Sequence, residues 1–541
     1  MRRAFCAVAF LALIVLLPRA MFIGLAGDYV DPVSRLASQD EALYVSSAIH
    51  MAAHGDWLTP HFMGRFALYK PPLLYWCAAL SAKLLGIARL PLRLPVTLFA
   101  ALAVGLIFLW AAEVHSWQAG AAAVLLVLSN HLWQVLGTLC MTDGLLVACF
   151  IAAMYVLFTD PWLASRASLV GFAAAVAGAI LAKGIAGFLP LGVLGLYWLA
   201  APRKYRPALV RVCLAGVLAS LFAGPWFAYQ AIAHPHWFWA EHVGLEILGY
   251  GGGTPPQTSQ EPQVLFYLAR LAVMDPVLIA ITVAALPSFF DELRRRSHAA
   301  TLLACWIALA AASVMAWQYR NATYLLPLVP ALAILAAAHS PFAQRRYLPW
   351  MLACLAGAFL VKCGLPDMPW GLAFRKASVQ PLAAPLATYC EQDRGNPLIV
   401  VDLADDLYAS ALPLARVRYA MVNPAAYDSQ YGMPFEQMGI AMTVDQFNRL
   451  PELEPGFRDR LRQWGIDSTD PIATLILAAT LEELGALALA HGEADFVMPA
   501  RYRDAVRLAP HAVAPAGEGY FFLISRQRRE RNSPRGWTCR M

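Results

Sequence analysis

The chain contains 541 residues, of which 60% are hydrophobic and 14% are charged, and its mean hydropathy is +0.54. Soluble globular proteins average about 45–50% apolar and about 25% charged residues. This composition therefore excludes a soluble enzyme and a disordered protein, and it indicates a polytopic membrane protein. We attribute the net charge of +6 to Lys and Arg in cytoplasmic loops, and we expect no nucleic-acid partner.

Apolar runs long enough to span a bilayer recur from the N-terminus to about residue 365. Met1-Arg2-Arg3 and the apolar run that follows predict an uncleaved first helix with its N-terminus inside. The segment 71–87 begins with two prolines, and we predict that it lies in or against the outer interface without crossing. The other predicted spans are 92–112, 117–138, 141–159, 166–182, 185–201, 207–232, 264–288, 299–317, 323–338 and 347–365.

Clusters of basic residues fix the predicted orientation, because loops rich in Lys and Arg remain in the cytoplasm. The clusters are Arg203-Lys204-Arg206-Arg211, Arg294-Arg295-Arg296 and Arg345-Arg346. They fall inside when the chain crosses about eleven times, within a range of about 11–13 helices, and the C-terminus then lies outside. The polar segments predicted on the outer face are 28–70, the region around Asp143, 233–263 and 318–322.

Residues 367–541 differ in composition from residues 1–366, the predicted transmembrane domain. Apolar runs at 398–401 and 472–477 predict strands, and 443–464 and 480–492 have helical patterns. This part is predicted to be a soluble α/β domain on the outer side. The ten cysteines include no CxxC pair, which argues against a zinc module, and Cys390 and Cys539 could pair only if their domain is extracytoplasmic.

The first outer loop carries two candidate groups. Asp40 and Glu41 begin a predicted helix that runs to about His54, so they could be a capping pair or catalytic acids. Lys70 precedes two prolines, which form a rigid turn that could direct its ammonium at a lipid phosphate. The alternative for Lys70 is a lysine that extends to the membrane interface.

Later outer segments add further charged groups. Asp143 begins an otherwise apolar helix, where an acid is either functional or stabilised by the helix dipole. Lys183-Gly184 interrupts two apolar runs, Glu241-His242 lies in the outer loop 233–263, and Arg320 precedes Tyr324-Leu325-Leu326-Pro327-Leu328.

Together these residues resemble a known family. The string from Asp40-Glu41 through Gly55-Asp56-Trp57 and Gly64 to Lys70-Pro71-Pro72-Leu73-Leu74-Tyr75-Trp76 resembles the first periplasmic loop of bacterial lipid A 4-amino-4-deoxy-L-arabinose transferases. These enzymes are related to the dolichyl-phosphate-mannose–protein mannosyltransferases. Met141-Thr142-Asp143, Lys183-Gly184 and the segment at Tyr324 resemble later motifs of the family, in the expected order.

The resemblance implies an all-α polytopic membrane protein of GT-C type with a C-terminal soluble α/β domain. It implies a glycosyltransferase that takes a sugar from an undecaprenyl-phosphate carrier and passes it to an acceptor at the periplasmic face of the bacterial inner membrane. Lipid A or another envelope glycolipid is the favoured acceptor, and protein or a cell-wall polymer is the alternative. The sequence does not identify the sugar.

The resemblance also assigns roles by position. Asp40 matches the candidate catalytic base, Asp143 the second acid, and Lys70 the lysine that holds the carrier phosphate. Weaker candidates for the donor phosphate are Arg65, Lys183 and Arg320, and Glu41, Tyr69, Glu241 and His242 are candidates for the substrate pocket.

One position departs from the family pattern. Relatives commonly have Phe-Glu before Lys-Pro-Pro, whereas this chain has Leu68-Tyr69. A metal site that uses that glutamate is therefore not expected. The predicted chemistry requires no cofactor, and a divalent metal stays an alternative that the sequence does not support.

Two other classes of function remain open. A flippase or transporter of lipid-linked sugars would place polar residues at the membrane midplane, whereas the acids and lysines here are predicted at one face. A sensor or assembly protein would work through its outer domain, and it would need far fewer apolar segments as an anchor.

Overall fold

The computed structural model describes residues 2–22, 40–62, 65–249, 261–343 and 346–364, together with short segments between 388 and 526 that contain β-strands. The described residues up to 364 are helical apart from a small hairpin and connecting turns. The α-helices are α1 (Arg2–Phe22), α2 (Asp40–His54), α3 (Leu73–Leu85), α4 (Arg89–Val114), α5 (Trp117–Leu128), α6 (His131–Leu136), α7 (Thr142–Thr159), α8 (Arg166–Lys183), α9 (Leu189–Ala200), α10 (Leu209–Ala233), α11 (Pro235–Trp237), α12 (Gln263–Met274), α13 (Pro276–Arg294), α14 (His298–Ala316), α15 (Leu328–His339) and α16 (Leu348–Cys363).

Other helical turns connect these elements. A π-helix, Phe238–Gly249, follows α11, and 3-10 turns lie at Gly184–Phe188, Arg203–Tyr205, Ala322–Leu325 and Pro341–Ala343. Between α2 and α3, β1 (His61–Phe62) and β2 (Arg65–Phe66) form an antiparallel hairpin.

Eight helical segments among the described residues are long and apolar enough to cross a membrane. The 18-residue span that contains α15 is 83% buried inside the protein and α7 is 72% buried, whereas α10 and α13 are each 22% buried. The surface of α10 carries large exposed apolar side chains such as Leu221 and Ile232. A long helix with exposed apolar residues is typical of a lipid-facing element. The prediction of a multi-pass membrane protein is therefore confirmed.

The predicted count of about eleven crossings is larger than the eight described segments that reach crossing length. Two predicted runs are each divided by a polar residue that caps a new helix. The Asn130 side chain accepts a hydrogen bond from the Trp133 N–H, which separates α5 from α6, and the Asp275 side chain accepts one from the Leu278 N–H, which separates α12 from α13. Capping satisfies backbone donors at a helix start, so an apolar run can change direction there. Hydropathy alone does not reveal such breaks.

The segment 71–87 forms α3, which has 13 residues and is among the shorter apolar helices. Its length agrees with the prediction that this run does not cross. The runs 166–182 and 185–201 are separate helices, α8 and α9, because the Gly184–Phe188 turn folds back on α8, although together they make up one of the eight segments. A Cβ at Gly187 would lie 2.2 Å from the Ile180 nitrogen, so only glycine permits this approach.

The C-terminal part contains a six-stranded mixed sheet with strand order β5-β4-β3-β6-β8-β7. Its strands are β3 (Leu398–Val401), β4 (Val417–Met421), β5 (Leu475–Leu477), β6 (Asp495–Pro499), β7 (His511–Pro515) and β8 (Tyr520–Ser525). β3 pairs in parallel with β4 and β6, and β4 pairs in parallel with β5, whereas β8 is antiparallel to β6 and β7. The two predicted strand regions correspond to β3 and β5.

Other predictions for this part fall outside the described residues. They are the helices at 443–464 and 480–492, and the pairing of Cys390 with Cys539. The domain boundary near residue 366 also lies outside the described residues, and it stays a prediction.

Candidate functional site

Lys70 lies where the β1–β2 hairpin leads into α3. The segment Tyr69-Lys70-Pro71-Pro72 makes this connection, and its prolines restrict the backbone because each fixes its own φ angle. The Lys70 side chain is 14% exposed, and its Nζ donates to Oε2 of Glu246 in the π-helix. Two segments far apart in the sequence therefore meet at this ammonium group.

Asp143 and Lys183 form a second ion pair. Asp143 lies in the first turn of α7 and Lys183 is the last residue of α8, the two ends at which the helix dipole favours an acid and a base respectively. The Lys183 Nζ donates to Asp143 Oδ1 at 2.6 Å and lies 5.2 Å from the centre of the Tyr324 ring. Gly144 lets the start of α7 approach α6 closely, since a Cβ there would lie 2.3 Å from the Leu136 carbonyl oxygen.

Both ion pairs line one cavity of about 280 Å³. Its polar lining comes from widely separated parts of the chain, namely Tyr69, Lys70, Asp143, Lys183, His242, Glu246, Ser313, Thr323 and Tyr324. The rest of its lining is mostly apolar and includes Leu146, Ile185, Leu189, Ile247, Val314 and Trp317. The cavity therefore combines paired charges with an apolar surface.

Asp40 begins α2 and is accessible to solvent, although protein surrounds its carboxyl group. Desolvation raises the pKa of this carboxyl, and the charges of Lys70 and Lys183 act in the opposite direction. Asp143 and Glu246 also act electrostatically on Asp40. Asp40 is not in the cavity lining, but it lies within the electrostatic range of all four charged groups there.

The π-helix places Glu241 and His242 next to the Lys70 segment. The Glu241 carboxylate is 1% exposed, and its Oε2 accepts a hydrogen bond from the Leu68 N–H at 2.7 Å. The His242 ring is 5% exposed and stacks on Phe238 with ring centres 5.4 Å apart. Burial lowers the pKa of His242, and Lys70 lowers it further while Glu246 opposes the change. The net lowering of this pKa favours the neutral form of the imidazole at the cavity wall.

The structure does not bring every candidate residue into the cavity. Glu41 is 1% exposed and accepts from Arg93 Nε and Nη2 and from the Cys140 N–H, each at 2.7 Å. Arg320 donates to the Glu261 carbonyl oxygen and is not among the lining residues. The Arg65 side chain lies outside the described part of the structure. Tyr69 is 6% exposed and lines the cavity.

Glu246 is the site residue that the sequence analysis missed. It follows Glu241 by five positions in the same outer segment, which was the only available signal. No local pattern connects it to Lys70, because the two residues are 176 positions apart.

No group of three or more His, Cys, Asp or Glu side chains in the described part of the chain is arranged to hold a metal ion. His50, His54 and His61 form a cluster near the hairpin, but their rings stack on and hydrogen-bond to one another. The position before Lys70 holds the phenol of Tyr69.

Comparisons with known proteins show which families the chain resembles in sequence. A family model described as dolichyl-phosphate-mannose-protein mannosyltransferase matches residues 69–229. The undecaprenyl phosphate-alpha-4-amino-4-deoxy-L-arabinose arabinosyl transferase of Edwardsiella ictaluri is 30% identical over 233 residues, 40% of this chain and 41% of that protein. The enzyme of the same name from Enterobacter sp. (strain 638) is 26% identical over 357 residues, 62% of each chain. The chain thus spans about half the length of the curated relatives that it matches.

Solved structures extend the similarity to nearly the whole chain. ArnT from Cupriavidus metallidurans in the apo state has a TM-score of 0.66 at 18% identity, covering 96% of each chain. The same protein bound to undecaprenyl phosphate gives a TM-score of 0.67, covering 96% of this chain and 97% of that one. The chain is therefore similar in sequence, over part of its length, to undecaprenyl-phosphate aminoarabinose transferases and to the dolichyl-phosphate-mannose–protein mannosyltransferase family, and it has the fold of ArnT from Cupriavidus metallidurans.

Proposed function

We propose that the protein is a membrane glycosyltransferase that moves a sugar from an undecaprenyl-phosphate carrier to an acceptor at the periplasmic face of the inner membrane. The cavity is the observation that carries this proposal. Lys70 and Lys183 supply ammonium groups that suit a phosphate, and the apolar lining suits an isoprenoid chain. The relatives named above carry undecaprenyl phosphate in their names, which supports the same class of donor.

In the proposed reaction, the Asp40 carboxylate removes a proton from the acceptor hydroxyl or phosphate. The acceptor oxygen attacks the anomeric carbon, and the bond from that carbon to the carrier phosphate breaks. The phosphate leaves with the bonding electron pair, and its growing charge is stabilised by Lys70. A single displacement inverts the anomeric carbon. Asp143 and Lys183 hold one another in position beside the reacting groups.

The acceptor in this proposal is lipid A or another envelope glycolipid, with protein as the alternative. The names of the relatives support an envelope sugar transferase but state only the donor. Tyr69, in place of the glutamate common in the family, changes the cavity wall next to Lys70. We therefore leave the sugar open.

The proposed orientation places the cavity and the C-terminal domain in the periplasm. The basic segments at Arg203–Tyr205 and at the end of α13 would then face the cytoplasm. Lys70, Asp143 and Lys183 lie at helix ends or in the connections, as an active site at one membrane face requires.

A transfer assay in membranes tests this proposal. Labelled sugar is followed from an undecaprenyl-phosphate donor, and the wild type is compared with Asp40→Asn at matched expression. Loss of a general base is expected to reduce transfer by roughly 10²–10⁴-fold. Glu113→Gln is the matched control, because it removes the same charge from a residue of a separate cavity.

Equal transfer by the wild type and Asp40→Asn would reject Asp40 as the base. If neither protein transfers any of a panel of lipid-linked sugars while labelled carrier still changes leaflet, the protein is a flippase and the enzymatic proposal fails. The labelled product of a successful reaction identifies the acceptor.

A further inference from the structure

The ammonium group of Lys70 is already engaged by a carboxylate. Glu246 is its partner, and both side chains line the cavity proposed for the donor. The second ammonium group, that of Lys183, is engaged by Asp143 at 2.6 Å. A phosphate that enters the cavity therefore meets lysines that already have anionic partners.

The Lys70–Glu246 pair is suited to exchange. Its side chains are 14% and 19% exposed, so water or a ligand can reach them. By contrast, the Arg93 and Glu41 side chains are 0% and 1% exposed and form a bidentate ion pair. The Glu41 carboxylate also accepts a hydrogen bond from the Cys140 N–H. A mostly buried ion pair gains little net stability, because the free energy needed to desolvate both charges offsets much of their attraction.

The π-helix that carries Glu246 is fixed at its other end. Glu241 accepts from the Leu68 N–H at 2.7 Å, two residues before Lys70. His242 is buried against Phe238 and lines the same cavity, yet its Nδ1 has no hydrogen-bond partner among the described residues. The segment therefore keeps its position near Lys70 through Glu241, while Glu246 and His242 face the space that a ligand would fill.

We propose that Glu246 is a specificity residue that occupies Lys70 in place of the donor phosphate and is displaced when the donor binds. Two anions compete for one ammonium group, so only a ligand with an anionic head at this point replaces the carboxylate effectively. The proposal rests on the proposed function, because it assigns the competing ligand as an isoprenoid phosphate. The carboxylate next to Lys70 comes from the π-helix, which Glu241 holds in place at its other end.

Binding of farnesyl phosphate to the purified full-length protein tests this proposal without the transfer reaction. The Glu246→Gln variant keeps the size of the side chain but removes its charge. We expect it to bind farnesyl phosphate roughly two- to fivefold more tightly than the wild type, because the competing ion pair that is lost has only a small net stability. Glu113→Gln, with the same charge change in another cavity, is expected to bind like the wild type.

Two further ligands separate the head from the tail. Farnesol, which has no phosphate, is expected to bind the wild type and Glu246→Gln equally. Inorganic phosphate reports on the head alone, and its binding is expected to improve in Glu246→Gln by the same factor as that of farnesyl phosphate. Improvement for farnesol as well would show a general opening of the cavity and would overturn the proposal.

A double-mutant cycle shows whether the effect acts through Lys70. In a Lys70→Gln background, Glu246→Gln should no longer change the affinity for farnesyl phosphate. Unchanged binding of farnesyl phosphate by Glu246→Gln alone would overturn the proposal that Glu246 competes with the donor phosphate for Lys70, which is called its placeholder role below. Weaker binding would also overturn it, and would show that Glu246 instead orients Lys70.

Binding of farnesyl phosphate by the wild type tests the proposed function separately from the role of Glu246. If the wild type binds farnesyl phosphate and Glu246→Gln does so no better, only the placeholder role is lost. If neither protein binds the ligand, the proposed donor class is wrong, and the placeholder role fails with it. Melting temperatures of all variants verify that each one is folded.

Discussion

The packed core beside α4 and the cavity at the ends of α7 and α8 both contain ion pairs, but the pairs differ in burial and in their other contacts. In the core, Arg93 donates to both carboxylate oxygens of Glu41, and the side chains are 0% and 1% exposed. In the cavity, Lys183 and Asp143 are 14% and 7% exposed. Removal of one partner from a buried pair leaves an uncompensated charge, whereas a charge beside a cavity can be solvated or can bind a ligand.

A second pair in the core shows the same difference. Lys362 in α16 and Asp275 at the start of α13 are 3% and 2% exposed, and Lys362 also donates to the Ser129 carbonyl oxygen at 2.8 Å. This pair ties the last described helix to two others within the bundle. Structural ion pairs are therefore recognised by their deeper burial and by their additional hydrogen-bond partners. The types of charged residue in a pair do not distinguish a structural pair from a pair beside the cavity.

The largest expected effect follows from breaking the core pair. Arg93→Gln leaves the Glu41 carboxylate buried without its cation, so we expect the free energy of unfolding to fall by about 3–5 kcal/mol. Unfolding of the purified protein in detergent measures this change. Addition of Glu41→Gln should recover part of the loss, because no buried charge then remains. A loss below about 1 kcal/mol would show that the pair is not structural.

A smaller effect on stability is expected in the cavity. Lys183→Met removes a charge-assisted hydrogen bond to Asp143 and should cost about 1.5–3 kcal/mol. Addition of Asp143→Asn should restore stability but not sugar transfer, because the ammonium group proposed to act on the donor is still missing. Transfer that recovers together with stability would show that this pair, too, serves only the fold. Melting curves and the transfer assay on the same preparations provide both measurements.

The smallest effect concerns the pH dependence of transfer. Asp40 acts as a base only when it is deprotonated, and burial raises its pKa above the ordinary value. The acid limb of kcat/KM should therefore lie at a higher pH than an ordinary carboxyl with a pKa of about 3.9 would give. Glu246 contributes to the raised pKa, so Glu246→Gln should move this limb to lower pH. An acid limb that is identical in both proteins would argue against Asp40 as the titrating group.

The same shift has a consequence for stability. The folded state holds the proton of Asp40 more tightly than the unfolded chain, because the pKa of Asp40 is raised in the folded state. The contribution of this carboxyl to stability therefore falls as the pH rises from the unfolded pKa to the folded pKa.

Most of the helical pattern could be predicted from the sequence. The helices α2 and α7 begin at the acids where the sequence placed them, and α3 is as short as its non-crossing prediction requires. Fewer described segments reach crossing length than the eleven predicted runs, because the Asn130 cap divides the run 117–138, the segment 166–200 counts as one, and α16 has only 16 residues. Hydropathy is an average over neighbouring residues, so it does not detect a single cap.

The candidate site was predictable in its individual charges but not in their partners. Asp40 and Glu41 are adjacent in the sequence, yet the first lies near the charged groups of the cavity and the second pairs with Arg93 in the core. Successive residues on a helix point about 100° apart, so neighbours can serve different regions. Which neighbour faces which region depends on how α2 packs.

The sequence by itself determined that this chain is a helical membrane protein, because the free energy of placing a segment in lipid is the sum of local residue contributions. It also supplied the acids and lysines and the motifs shared with sugar transferases. The tertiary structure alone decided that Glu246 meets Lys70 across 176 positions and that Lys183 meets Asp143 across 40. An ion pair depends on the distance between two side chains in space, and only the packing of the helices sets that distance.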